Sequence, residues 1–264
     1  MPQAKLNDIS LYYEIYGKGK PLLLIAGLGS DNSSWAGVVK IFSKRFQAIV
    51  FDNRGAGRSS IIRKQHTIRR MADDAVRILD YLGIERAYII GHSMGGYIAQ
   101  EMAINYPDRV DRLVLESTAP VSSKRNNILF EDIYNQLERE GYSEAWVKRW
   151  AFWLFSVEAF GRGKFIDTFI KQAAKYPYPM SADSFKAQAE AIAKFDSRSQ
   201  LSGIKAKTLI IEGEDDILIK PDEARALVKH IRGSVIKLIR GLAHCIHMEN
   251  PALFTKAVVD FLER

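Results

Sequence analysis

Residues 91–95 read Gly-His-Ser-Met-Gly, which is a G-x-S-x-G spacing between an apolar run and a segment with helical periodicity. In this strand–turn–helix setting the spacing predicts a nucleophile elbow, a sharp and strained turn that projects the serine hydroxyl above the strand ends. Gly91 and Gly95 are required because side chains there would collide with the neighbouring strand and helix. The start of the helix adds positive potential where an oxyanion would form. Ser93 is therefore the candidate nucleophile.

A serine hydroxyl is a weak nucleophile until a base takes its proton, and the base needs an acid that holds its tautomer. Among five histidines, His244 and His247 lie in the loop between the last predicted strand and the last predicted helix. That loop is at the carboxyl edge of the sheet, where ligands of open α/β sheets bind. His244 is nearer the strand end and is the candidate base. His247 is the alternative base and is otherwise expected to pack or hydrogen-bond locally.

The candidate acid is Asp216, in the loop that follows the strand predicted at 208–211. The alternatives are Asp215, which is next to Asp216 in the sequence, and Glu116, which lies at the end of another predicted strand. The remaining acidic residues of the Asp216 loop are interpreted as solvated surface charge. With Asp216 the chain order is serine, aspartate, histidine, which is the order expected after a nucleophile elbow.

An acyl-transfer site also needs two backbone N–H groups for the oxyanion. One is expected from Met94, directly after the nucleophile. The other is expected from Leu28, in the loop after the strand predicted at 21–26, where Gly27 and Gly29 let the backbone approach the substrate closely.

Alternating short apolar runs and longer amphipathic segments position these residues. Strands are predicted at 9–15, 21–26, 46–51, 86–90, 112–115, 208–211 and 235–239, and helices at 67–82, 94–106, 222–230 and 251–262. This alternation predicts the α/β class, with a mostly parallel sheet and helices on both faces. Residues 121–200 break the alternation. They are predicted to form a helical cap, or lid, inserted into a core made of residues 1–120 and 201–264.

The predicted cap is rich in aromatic residues: it has about 30% of the chain but 15 of the 28 rings. Trp146, Trp150 and Trp153 have i, i+4, i+7 spacing, which places them on one helical face. These rings either attach the cap to the core or line an apolar substrate pocket, and the three tryptophans are the pocket candidates.

Composition excludes several classes of protein. The chain has 264 residues, 47% hydrophobic and 26% charged, which is typical of a globular domain. One cysteine, Cys245, permits no internal disulfide or Cys-rich zinc site, and we expect it to be a small buried apolar residue. No secretory leader or membrane-spanning run is evident, so a cytoplasmic location and no membrane partner are expected.

The net charge is +7, but the basic residues are scattered. Among the densest groups is Arg63-Lys64 with Arg69-Arg70, and no nucleic-acid-binding motif accompanies it. We therefore expect no nucleic-acid partner. The chain is expected to be a monomer or a small homo-oligomer.

Five motifs in chain order resemble the α/β-hydrolase fold superfamily, in its cap-bearing serine esterase and lactonase branch, over nearly the full length. They are Gly27-Leu28-Gly29, residues 52–59, the elbow at Ser93, Gly213 to Asp216 with Pro221, and the His244 loop through Glu249 and Pro251. The resemblance implies an eight-stranded sheet with a helical lid similar to those of enol-lactonases, aminoacrylate hydrolases and carboxylesterases.

Two features of these motifs need comment. Residues 52–59 lack the third glycine of a dinucleotide-binding fingerprint and are interpreted as a structural turn. The superfamily usually has a histidine before the oxyanion glycine, and this chain has Ala26 there. The Leu28 N–H does not depend on that side chain.

The resemblance implies acyl transfer, because dehalogenases and epoxide hydrolases of this fold carry aspartate at the elbow. The expected substrate is a small, partly apolar carboxylic ester or lactone, and no metal or organic cofactor is expected. A carbon–carbon bond hydrolase or a cofactor-free perhydrolase could use the same triad. A ligand-binding protein with vestigial hydrolysis is a further alternative.

Overall fold

A computed structural model describes residues 2–6, 8–61 and 66–264 of the chain. Its strands, in chain order, are β1 (Gln3–Leu6), β2 (Ile9–Tyr16), β3 (Lys20–Ile25), β4 (Phe46–Phe51), β5 (Ala87–His92), β6 (Val110–Glu116), β7 (Lys207–Gly213) and β8 (Val235–Ile239). They form one sheet in the order β1-β2-β4-β3-β5-β6-β7-β8. The first two strands are antiparallel to their neighbours, and the other six are parallel to one another. The predicted mostly parallel sheet is confirmed.

Helices connect these strands and make up the segment between β6 and β7. They are α1 (Ala36–Phe42), α2 (Ile68–Tyr81), α3 (Met94–Asn105), α4 (Lys124–Glu140), α5 (Glu144–Leu154), α6 (Val157–Gly161), α7 (Phe165–Ala174), α8 (Ala182–Ala193), α9 (Pro221–His230), α10 (Ile246–Glu249) and α11 (Pro251–Leu262). Strand β1 and helix α1 were not among the predicted elements. With four and seven residues, they are too short to show a clear hydrophobic period.

Both faces of the sheet are buried, which explains the unbroken apolar runs of the central strands. In β3, Leu22 and Leu24 pack with α1 and α11 on one face. Leu23 and Ile25 pack with α2 and α3 on the other face. Successive strand residues point to opposite faces, so one short sequence supplies both cores.

Helices α4 to α8 occupy the interval in which the cap was predicted. An isolated antiparallel bridge between Val121 and Asp196 joins the two ends of this segment. Inside it, Phe185 of α8 packs against Trp146 and Trp150 of α5, with ring centroids 6.0 and 6.4 Å apart. The segment thus has aromatic packing of its own. The division at 121–200 stays a prediction.

Two sequence observations concern surface properties. Arg63 and Lys64, from one of the densest basic groups, lie outside the described residues. Within the part of the chain that the structure describes, no helix is both long enough and apolar enough to cross a membrane.

Candidate active site

Ser93 occupies the turn between β5 and α3, with a backbone φ of 54° and ψ of −115°. A positive φ is strained for a residue with a side chain, and such strain concentrates at functional sites. A Cβ on Gly91 would lie 2.2 Å from the Gly95 carbonyl oxygen, and a Cβ on Gly95 would lie 2.1 Å from the Ile25 carbonyl oxygen. The strand and helix therefore pack so closely that both glycines are required.

The carboxyl ends of the parallel strands bring the other candidates to the edge where Ser93 lies. His92, at the end of β5, is in register with Glu116, at the end of β6. Gly213, at the end of β7, is in register with Ile239, at the end of β8. The loop after β7 carries Asp216, and the loop after β8 carries His244. Residues more than a hundred positions apart in the chain are thus brought to one edge.

His244 and Asp216 form a buried pair, with His244 Nδ1 2.8 Å from Asp216 Oδ2 and both side chains at most 2% exposed. The other oxygen, Asp216 Oδ1, accepts hydrogen bonds from the backbone N–H groups of Leu218 at 2.7 Å and Ile219 at 2.9 Å. Because an ionised carboxylate only accepts, Nδ1 of His244 carries the proton in this pair. With Nδ1 committed to Asp216, Nε2 is the ring nitrogen of His244 left to accept a proton.

The alternative acids and base have other environments. Asp215 is exposed, and its backbone N–H donates to the Leu242 carbonyl at 3.1 Å. Glu116 pairs with His247: its Oε1 lies 2.9 Å from both the ring Nδ1 and the backbone N of His247. The His247 ring also packs on Trp35, with centroids 4.4 Å apart. Local packing and hydrogen bonding therefore account for His247.

His92 connects the two histidine–carboxylate pairs. Its ring centroid lies 4.9 Å from that of His244 and 4.8 Å from that of His247. Burial and the two neighbouring histidines hold the pKa of His92 well below its usual range, so its ring is neutral. Its Nε2 lies 3.0 Å from the His244 carbonyl oxygen. Because that oxygen can only accept, Nε2 is the donor, and His92 tethers the backbone of the candidate base. No sequence pattern predicts this contact, because it joins a residue of the elbow motif to a backbone carbonyl 152 positions away.

The two predicted oxyanion donors lie beside the elbow. A Cβ on Gly27 would lie 3.2 Å from Ser93 Cβ, which shows how closely the loop after β3 approaches the candidate nucleophile. Among the hydrogen bonds of the described residues, neither the Leu28 N–H nor the Met94 N–H has a protein acceptor. Asn53 Nδ2 donates to the Ala26 carbonyl at 3.0 Å and supports the loop where the usual histidine is missing.

A cavity of about 370 Å³ opens at this edge, between the sheet and helices α4, α5 and α7. Ser93, Leu28 and His244 all line it, so the structure brings the candidate nucleophile, base and one oxyanion donor to a common space. Much of the rest of the wall is apolar, with contributions from Phe130, Val147, Leu154, Phe169, Met180 and Met248.

Of the three tryptophans predicted for the pocket, Trp146 and Trp150 line the cavity and Trp153 does not. The prediction for Trp153 is wrong. Helix α5 presents Trp146, Trp150 and Leu154, spaced four residues apart, to the cavity. This i, i+4, i+8 row is inclined to the helix axis and diverges from the i+7 position, where Trp153 lies. Trp153 instead lines a shallow outer groove, with the Arg125 guanidinium 5.7 Å from its ring centroid.

Glu212 is buried, so the interpretation of the other acids of the Asp216 loop as solvated surface charge is wrong for this residue. It is the penultimate residue of β7 and has no exposed surface. Burial and the adjacent Asp216 carboxylate raise the pKa of Glu212 well above its usual range. Glu212 is therefore a neutral acid beside the candidate triad. Its place at the end of a buried strand was the signal that could have identified it.

Cys245 is 3% exposed and borders the cavity next to His244. Burial, followed by the charges of Glu116 and Glu249, raises the pKa of the Cys245 thiol well above its usual range. A neutral buried thiol behaves as a small apolar side chain. Among the described residues, no three or more His, Cys, Asp or Glu side chains are grouped so that they could hold a metal ion.

Comparison with known protein families gives one match over most of the chain. A family model described as "alpha/beta hydrolase fold" matches residues 20–251. These bounds include the elbow, the buried His244–Asp216 pair and the loop after β3.

Individual relatives are similar over nearly their whole length. A protein of Azorhizobium caulinodans named carbamate hydrolase RutD is 29% identical over 263 residues, covering 99% of this chain and 98% of the relative. 3-Oxoadipate enol-lactonase 2 of Acinetobacter baylyi is 28% identical, with 98% and 95% covered.

Solved structures show the same similarity. The enol-lactonase of Burkholderia xenovorans superposes with a TM-score of 0.90 at 29% identity, covering both chains completely. A thermophilic esterase of Thermogutta terrifontis superposes with a TM-score of 0.88 at 26% identity, covering 100% of this chain and 98% of the esterase.

Proposed function

The chain belongs to the alpha/beta hydrolase fold family, and on that premise we propose that it is a serine hydrolase of small, partly apolar carboxylic esters or lactones. Ser93 is the nucleophile, His244 the base and Asp216 the acid. The observation that carries the proposal is the buried His244–Asp216 pair, whose histidine faces the same cavity as the strained Ser93. The enol-lactonase and esterase among the similar structures support this substrate class.

The first half of the reaction forms an acyl-enzyme. Ser93 Oγ attacks the substrate carbonyl carbon while His244 Nε2 takes the hydroxyl proton, and Asp216 stabilises the resulting imidazolium. The carbonyl oxygen becomes an oxyanion that accepts hydrogen bonds from the Leu28 and Met94 N–H groups. His244 then returns the proton to the leaving oxygen, and the acyl carbon–oxygen bond breaks.

The second half releases the acyl group. Water takes the place of the alcohol, His244 Nε2 accepts its proton, and the hydroxide adds to the acyl carbon. The second tetrahedral intermediate collapses, the bond to Ser93 breaks and the serine regains its proton. In a lactone the leaving alcohol stays attached to the acyl group. Trp146, Trp150 and their apolar neighbours account for binding of the apolar part of the substrate.

Hydrolysis of a carbamate is the second candidate function. The observation that favours it is the set of full-length relatives named carbamate hydrolase. A carbamate has the same carbonyl carbon for Ser93 to attack, but its leaving group can be a nitrogen that His244 protonates. The same residues would serve, and only the substrate distinguishes the two functions.

The proposal is tested with a p-nitrophenyl ester series from acetate to decanoate, an N-alkyl carbamate ester, and labelling by a fluorophosphonate probe. Wild type is compared with Ser93→Ala and with Ser202→Ala, which changes an exposed serine that does not line the cavity. We expect turnover and labelling in wild type and Ser202→Ala, and neither in Ser93→Ala.

Other outcomes would redirect the proposal. Labelling without ester or carbamate turnover would keep Ser93 as the nucleophile and favour a lactone substrate, carbon–carbon bond hydrolysis or perhydrolysis. A folded wild type that shows neither labelling nor turnover would contradict the hydrolase proposal and favour a ligand-binding protein.

A further inference from the structure

One corner of the cavity carries a carboxylate. Asp31, in the loop after β3, is 6% exposed and lines the cavity three residues beyond Leu28. Its Oδ1 accepts a hydrogen bond from the Ser33 N–H at 2.8 Å, which caps the short helical turn Asn32–Trp35. Its Oδ2 takes no part in this cap, and the Tyr176 hydroxyl is the neighbouring group able to donate to the carboxylate. The cap therefore uses one oxygen of Asp31 and leaves the negative charge facing the cavity wall.

Two tyrosines from the helical segment line the same cavity as Asp31 and are near enough for its charge to act on them. Burial and the charge of Asp31 raise the pKa of Tyr142 to about 12. Burial and Asp31 also raise the pKa of Tyr176. Both rings line the cavity, and Tyr142 packs against Trp146 with centroids 5.2 Å apart. Asp31, Tyr142 and Tyr176 are called the acidic corner below.

The described part of the cavity wall offers no cation to neutralise the acidic corner. Among the described residues that line the cavity, none is a lysine or an arginine. The Arg58 guanidinium is outside the lining and is shared by Asp52 at 3.7 Å and Glu14 at 3.6 Å. Burial, followed by the charge of Asp31, raises the pKa of Asp52 to about 6. The three acids Asp31, Asp52 and Glu14 therefore outnumber the single Arg58 guanidinium in this region.

A carboxylate among aromatic rings in a cavity with a largely apolar wall favours a cation. Aromatic faces carry negative potential and attract ammonium groups, most strongly when water is excluded. A second anion there would meet the charge of Asp31 in a medium that screens charge poorly. We propose that the acidic corner binds an alkylammonium group of the substrate and disfavours substrates that end in a carboxylate. This inference rests on the proposed function, because it takes the bound cation to be part of the substrate.

The test uses three esters of one acid that differ in the charge of the alcohol. Butyrylcholine carries a trimethylammonium group, 3,3-dimethylbutyl butyrate replaces it by an uncharged group of the same shape, and 4-butyryloxybutanoate ends in a carboxylate. We expect kcat/KM for the choline ester to exceed that of the uncharged ester by about tenfold or more. The carboxylate ester should be slower than the uncharged one by about tenfold or more.

Asp31→Asn is the informative variant. Asparagine caps helical turns as well as aspartate does, so the substitution removes the charge and keeps the turn. The ratio of kcat/KM for the choline ester over the uncharged ester should fall toward one. Asp183→Asn, which changes an exposed acid of α8, should keep the wild-type ratio. If Asp31→Asn does not fold, Tyr142→Leu removes a ring of the acidic corner and should lower the same ratio.

Binding to Ser93→Ala separates this inference from the proposed function, because it requires no turnover. Calorimetry should give a Kd for butyrylcholine about tenfold or more below that of the uncharged ester. Equal or weaker binding of the choline ester would overturn the inference, and ester turnover by wild type would still support the hydrolase. Preferential binding of the cation without turnover or fluorophosphonate labelling of wild type would support the acidic corner and contradict the hydrolase.

Discussion

The neutral carboxyl group of Glu212 lies buried beside the carboxylate of Asp216. Glu212 Oε1 accepts a hydrogen bond from the Gly213 N–H at 3.1 Å, and Oε2 has no donor within the described part of the chain. Two neighbouring buried carboxyl groups cannot both be ionised without a large cost. The proton on Glu212 removes this repulsion and allows Asp216 to keep the charge that faces His244.

We predict that Glu212→Gln leaves the acid limb of the kcat/KM profile within about 0.3 pH units of wild type, because glutamine replaces one neutral hydrogen-bond donor by another. The measurement is a pH profile with an ester that wild type hydrolyses. Glu214→Gln, at an exposed acid of the same loop, is the control.

An ionised Glu212 would give a different profile. Its replacement by glutamine would remove a negative charge near His244 and move the acid limb down by about one pH unit. Infrared spectroscopy supplies a readout independent of activity: the carbonyl band of a protonated acid at neutral pH should disappear in Glu212→Gln.

Asp216→Asn should lower kcat by several orders of magnitude, about 10⁴-fold, because asparagine does not hold the His244 tautomer or stabilise the imidazolium. Asp215→Asn should stay within about twofold of wild type, because Asp215 is exposed. Steady-state kinetics of both variants checks the prediction, with circular dichroism as the folding control. A reversal of the two results would assign the acid to Asp215.

Trp150→Ala should enlarge the cavity, raise KM for short-chain esters and move the chain-length optimum toward longer acyl groups. Burial of a tryptophan contributes about 3–5 kcal/mol to folding, so the variant is also expected to unfold at lower temperature. Trp153→Ala is the matched control, since Trp153 lies outside the cavity. The p-nitrophenyl ester series gives KM and the chain-length optimum for both variants. An unchanged optimum in Trp150→Ala would remove this ring from the substrate pocket.

His66 should make the protein less stable in acid. It is 2% exposed, and burial together with Arg54 lowers its pKa from 6.5 to about 4. Because the unfolded chain binds the proton more readily, stability is greatest above pH 6.5 and is lost as the pH falls toward 4. The loss is up to about 3 kcal/mol from this group.

Urea unfolding of wild type and His66→Gln at pH 4 to 7.5 isolates this contribution. The difference in unfolding free energy between the two proteins should change across this window, in favour of the variant at low pH. A difference that does not depend on pH would exclude a buried neutral histidine at this position.

Local features of the sequence were sufficient to predict the elbow and the type of sheet. The glycine spacing around Ser93 encodes a turn that depends on five consecutive residues and on the strand and helix next to them. The apolar runs of β3, β4, β5 and β7 encode strands buried on both faces. Such features can be read from sequence because each depends on neighbours only a few positions away.

Tertiary structure decided how distant side chains pair. That His244 meets Asp216 while His247 meets Glu116 depends on the register of adjacent strands and on how two loops fold over their ends. The outward position of Trp153 depends on how α5 lies on the core, and the burial of Glu212 depends on what covers the end of β7. Helical periodicity and charge describe a residue and its sequence neighbours. They contain no information about which element, from elsewhere in the chain, packs on top of it.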